Sequence, residues 1–153
     1  MAEIPEKLRE TLDTLDLLGD RSERIQWLID VAGRFEEVPQ SLGRKPFPAE
    51  RRVPACESEA YVWAEGRADG TLDFHFAVLN PQGISAKALA VILGESLSGA
   101  PLDEVAAVPT DVVYQVFGDE LSMGKSMGLM GMVGMVTGSA KQLLEARAHS
   151  GAN

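Results

Sequence analysis

Apolar residues recur every three or four positions at the start of the chain, at Ile4, Leu8, Leu12 and Leu15. That spacing predicts an amphipathic helix with Pro5 in its first turn and Gly19 beyond its end. A second helix is expected from Asp20, whose carboxylate can cap it, with Glu23 three residues on as in a capping box. Its apolar stripe is Ile25, Leu28, Ile29, Ala32 and Phe35, and Pro39 closes it. The two read as antiparallel helices joined by a tight turn. Residues 39–55 break the periodicity: Pro39, Pro46, Pro48 and Pro54 exclude regular helix and predict an extended arm over the surface.

Period two then replaces period four. Tyr61 to Ala64 reads as a strand, Asp69-Gly70 as a tight turn, and Leu72, Phe74, Phe76 and Val78 as the buried face of a second strand. Thr71, Asp73, His75 and Ala77 alternate onto its other face. Asn80 to Gly83 ends the hairpin, and a helix follows from about Ser85 to Ser98 with Ala88, Leu89, Val91, Ile92 and Leu93 inward. Short helices are expected at about 101–107 and 110–117, the second capped by Thr110 and stopped by Gly118. Ser122 can cap a final helix reaching about Ala148. The fold class is α+β, a small antiparallel β-sheet packed against N-terminal and C-terminal helices, and residues 1–153 read as a single domain without repeats.

A chain of 153 residues buries roughly 70% of its unfolded surface, enough for a core without disulfides or metal. Fourteen Lys+Arg against 23 Asp+Glu give a net charge of −9, which argues against nucleic acid and anionic lipid as partners. The charged N-terminus lacks a signal peptide's apolar stretch, and the uncharged run from Ser126 to Ala140 falls short of the roughly 20 residues that span a bilayer. A cytoplasmic protein with no membrane partner is expected. Within this acidic chain the arm is locally basic, carrying Arg44, Lys45, Arg51 and Arg52 against Glu50.

Candidate chemistry centres on Cys56, the single cysteine, which rules out an internal disulfide or a multi-cysteine metal site. A free cysteine is commonly a small buried hydrophobe. Cys56 instead lies in a polar loop between Pro54 and Glu57, Ser58 and Glu59, and both readings stay open on local features. Arg51 and Arg52 favour a thiolate there and the two glutamates oppose it. His75 and His149 both read as surface histidines, so a cysteine that carries a group fits better than one that hydrolyses. Met123, Met127, Met130, Met132 and Met135 interleave with Gly124, Gly128, Gly131 and Gly134. This pattern suits a closely packed core helix or, alternatively, an adaptable groove for a partner helix.

The segment Val53-Pro54-Ala55-Cys56-Glu57-Ser58-Glu59 resembles the V-x-G-C-x-S motif of SufE-type sulfur-acceptor proteins. In order along the chain, Arg24 to Asp30 resembles that family's second helix, and Lys87, Leu89 and Gly99 resemble the helix after its sheet. Leu121-Ser122 with Lys125, Gly128 and Leu129 is similar to its L-S-x-x-R-x-x-G-L segment. Ala55 stands for the family's usual glycine, Lys125 for its arginine, and Asn80-Pro81-Gln82 for its acidic turn. The resemblance implies a carrier without a cofactor of its own, rather than a stand-alone enzyme. Cys56 takes persulfide sulfur from a pyridoxal-phosphate cysteine desulfurase of SufS-like type, stimulates that enzyme, and passes the sulfur to an Fe–S scaffold complex. It further implies that the cysteine sits at a loop tip facing an apolar cavity, and that Arg51, Arg52, Ser58 and Lys125 lie near the partner. A rhodanese-like sulfurtransferase and a pure interaction module built on Met123 to Met135 are the alternatives.

Overall fold

The computed structural model describes residues 3–56, 58–80, 83–118 and 121–151. In chain order these form α1 (Glu6–Leu17), α2 (Arg21–Ala32), a single 3-10 turn (Ala49–Arg51), β1 (Ala60–Gly66), β2 (Leu72–Val78), α3 (Ile84–Leu97), α4 (Leu102–Ala106), α5 (Val112–Phe117) and α6 (Met123–Gly151). The architecture is α+β, with a two-stranded antiparallel sheet among helices.

Helix α3 is the central element. Ala88 through Leu93 are all buried, so it is apolar nearly all round, as a helix enclosed by other elements must be. α1 and α2 both pack on α3, and β2 covers another side of it. Only residues 18–20 separate α1 from α2, as the expected tight turn requires, and both helices have α3 as their main partner. α6 packs along β1 and α4. Leu8 and Leu15 of α1 are fully buried, while Leu28 and Val31 are the buried residues of α2. Ile25 and Ile29, placed in the apolar stripe by their spacing, stay 44% and 42% exposed. α2 also ends earlier than Pro39, at Ala32 with Gly33 as its cap.

The caps follow local chemistry. Asp20 accepts from the Glu23 amide at 2.9 Å, while the Glu23 carboxylate reaches one residue further back than a capping box requires, to the Gly19 amide at 2.8 Å. Asp20→Ala is expected to lower stability by about 1 kcal/mol, measured as a shift in thermal midpoint. Asp111 is the N-cap of α5 and makes no side-chain cap bond, so Thr110 does not play the role its position suggests. Ser122 Oγ accepts from the Lys125 amide at 3.2 Å, as anticipated for α6.

Hairpin register pairs Val62 with Phe76 and Ala64 with Phe74 on the core face, and Trp63 with His75 and Glu65 with Asp73 on the other. Asp69 and Gly70 turn the chain through a longer loop than two residues, Gly70 supplying φ +90° while Asp69 accepts from the Thr71 amide at 3.0 Å. The second face is not simply solvated. The proline-bearing arm folds over it, placing Phe47 with ring centroids 5.1 Å from both Tyr61 and Trp63, and these join Val38 and Ala77 in a second small core. The arm is therefore a cover for the sheet as well as a connection.

Candidate functional site

The arm leads straight into the cysteine loop. Arg52 forms a β-bridge with Tyr61, and the Val53 amide donates to the Ala60 carbonyl at 2.8 Å. These contacts bring the chain before Cys56 against the start of β1, so that Cys56 lies in the connection between them. Buried Val53 anchors one root, and the Leu79 amide donating to the Glu59 carbonyl at 2.9 Å anchors the other. Ala55 has φ +57°, the left-handed region that an L residue with a Cβ adopts at a cost of about 1–2 kcal/mol. A glycine there, as in the resembling motif, meets no such cost. Ala55→Gly is expected to raise stability by about 0.5–1 kcal/mol, less than the strain because glycine also frees the unfolded chain. A chemical-denaturation midpoint measures it.

One face of the cysteine loop lies on α6. A Cβ at Gly128 would stand 2.6 Å from the Cys56 Cα and 3.0 Å from its Sγ, and one at Gly131 would stand 3.3 Å from the Pro54 carbonyl oxygen. The glycines of α6 thus admit a loop at these two positions, not a neighbouring helix. Gly134 and Gly138, further along, have nothing within 4 Å of such a Cβ.

The other face opens on a cavity of about 350 Å³ lined by Cys56, Ser58, Asn80, Lys125, Leu129 and the first turn of α3 at Gly83 to Ala86. First-turn amides of a helix have no acceptor within the helix and carry partial positive charge. With the Lys125 ammonium, they make the cavity favourable to an anion such as a thiolate. Gly83 keeps the wall tight: a Cβ there would lie 2.9 Å from Val78 Cγ1 and 3.1 Å from Ser58 Oγ. The lining mixes apolar and polar groups instead of being wholly apolar, and it contains no His, Asp or Glu among the described residues.

The structure brings Cys56, Ser58 and Lys125 together and leaves Arg51 and Arg52 outside the cavity lining. Arg51 closes the 3-10 turn and is half-buried, while exposed Arg52 bridges Tyr61. The Tyr61 hydroxyl donates to Glu59 at 2.8 Å, and that bond, with burial and the Glu59 charge, raises its pKa against the opposing pull of Arg52. His75 meets Glu65 at 3.2 Å on the arm-covered side of the hairpin and does not line the cavity. His149 is exposed near the end of α6. Neither supplies a base to the cysteine. Met132 is fully buried, whereas Met123 and Met127 are 79% and 51% exposed, so the methionine run divides between core and surface. In the sequence Asn80 reads only as the end of the hairpin and part of the turn that replaces an acidic one, and the start of α3 is not singled out; the small residues Gly83, Ser85 and Ala86 at a helix start are the available signal.

Residues 9–140 match the family model described as SufE, Fe-S metabolism associated domain. The solution structure of a hypothetical protein from Thermus thermophilus is 23% identical, with a TM-score of 0.73 over 93% of this chain and 98% of that one. That similarity concerns the fold. No curated protein matches the chain.

Proposed function

Starting from a chain that belongs to the SufE family of Fe–S metabolism associated domains, we propose that it accepts and carries sulfur on Cys56. The donor is the persulfide of a SufS-like, pyridoxal-phosphate cysteine desulfurase. The Cys56 thiolate attacks the terminal sulfur of the donor persulfide. A new Cys56 S–S bond forms, the donor's S–S bond breaks, and the donor cysteine leaves as thiolate. No electrons are gained or lost overall. The sulfur then passes by the same exchange to an Fe–S scaffold complex, in the cytoplasm.

The observation that carries this reading is a loop cysteine facing a cavity that favours an anion and whose described lining residues include no His, Asp or Glu. Such a site can hold a thiolate or persulfide anion. A rhodanese-like enzyme normally presents its nucleophile within the amide loop opening a helix; here Cys56 precedes β1, and the helix start comes from α3 across the cavity. Exposed Met123 and Met127 are the feature that favours the interaction-module reading. Desulfurase turnover of L-cysteine, followed as alanine release, separates the two. The carrier reading expects turnover to rise on adding this chain and to require Cys56; an unchanged rate contradicts it.

A further inference from the structure

Ile25 and Ile29, one turn apart on α2, are joined at the surface by Ile84, itself 45% exposed at the start of α3. Together with Leu28, Phe117 and Leu121 they give the apolar lining of a groove of about 290 Å³. Exposed apolar groups gathered in a concave patch with a charged border mark an interaction surface. Three cations, Arg21, Arg24 and Lys125, also line this groove, in a chain of net charge −9. The Arg24 guanidinium is held rigidly, donating to the Gln115 and Val116 carbonyls at 2.9 and 3.0 Å. Ile84, Ser85 and Lys125 line both this groove and the Cys56 cavity, so the two are neighbours across one shared wall.

We infer that the Ile25–Ile29–Ile84 groove is the surface on which the sulfur donor docks, taking a donor segment that presents apolar side chains flanked by carboxylates. Charge sets the chemistry of that segment: apolar groups fill the isoleucine floor and carboxylates meet the cationic border. A donor seated there lies beside the Cys56 cavity, where the exchange occurs. The inference rests on the sulfur-acceptor reading.

The test compares wild type with Ile25→Asp/Ile29→Asp. Initial rates of Cys56 persulfide formation are followed by mass against carrier concentration, with a SufS-like desulfurase and L-cysteine. Inorganic polysulfide, a small donor that needs no docking, is run in parallel. The variant should need at least about tenfold more carrier for half-maximal loading by the enzyme, corresponding to about 1.4 kcal/mol. Loading by polysulfide should be unchanged, since both side chains are exposed and lie outside the cavity. Equal half-saturation for wild type and variant overturns the docking surface alone. So does a parallel loss of polysulfide loading, which would signify a distorted site. Sedimentation showing a wild-type dimer that the variant abolishes would overturn it in favour of a second copy of this chain. If polysulfide loads the wild type and the desulfurase does not, the acceptor reading fails and this surface falls with it.

Discussion

Gly128→Ala is expected to destabilise the protein by about 1–3 kcal/mol, the usual cost of forcing a methyl group into a filled space. In an open helix position the same substitution is favourable by about 1 kcal/mol, because alanine is the better helix former. The reversal comes from the Cys56 backbone, whose Cα would lie 2.6 Å from the new methyl. A main-chain atom held at both loop roots cannot turn aside as a flexible side chain does. Gly134→Ala, where nothing lies within 4 Å, supplies the internal control and should stabilise the same helix. Opposite signs for two identical substitutions, read from denaturation midpoints, would establish that α6 is notched to seat the cysteine loop. Two stabilising results would show that the loop does not rest there. Sulfur loading should also fall in Gly128→Ala, since any accommodation moves Cys56.

Cys56→Ser should abolish sulfur uptake and stimulation of the desulfurase while leaving the fold in place. Serine is nearly the same size, and Cys56 is only partly buried, so a stability change within about 1 kcal/mol is expected. The hydroxyl cannot replace the thiolate as a sulfur nucleophile, so the functional loss should be complete. Retained stimulation would return the protein to the interaction-module reading, with its exposed methionines as the working surface.

The parts of the fold that were legible were those where one period dominates. Leu72, Phe74, Phe76 and Val78 alternate cleanly and do line the core, and the apolar run of α3 is buried as a run. Periodicity identifies residues that share a face; it does not say whether anything covers that face. Ile25 and Ile29 therefore read as core beside Leu28 and emerge half-exposed. The same gap, with the opposite outcome, hid the arm's role: Tyr61, Trp63 and Ala77 lie on the face expected to be open and are buried under Phe47 and Leu42. Glycine spacing in α6 announced a close approach without saying of what, and a loop came where a helix was the natural expectation. At the site, Cys56, Ser58 and Lys125 converge although Lys125 comes from the last helix. Nothing local to residue 125 reveals that, and the resemblance implied only that Lys125 lies near the partner. Arg51 and Arg52 are close to Cys56 in sequence, but neither lines the cavity that Cys56 faces.

Sulfur carriage on Cys56 is open to a direct reading: intact-protein mass after incubation with a SufS-like cysteine desulfurase, pyridoxal phosphate and L-cysteine without reductant. A carrier should gain one or more sulfur atoms, reversed by reductant and absent in Cys56→Ser. No gain with desulfurases of more than one type, or a gain that survives Cys56→Ser, would contradict it.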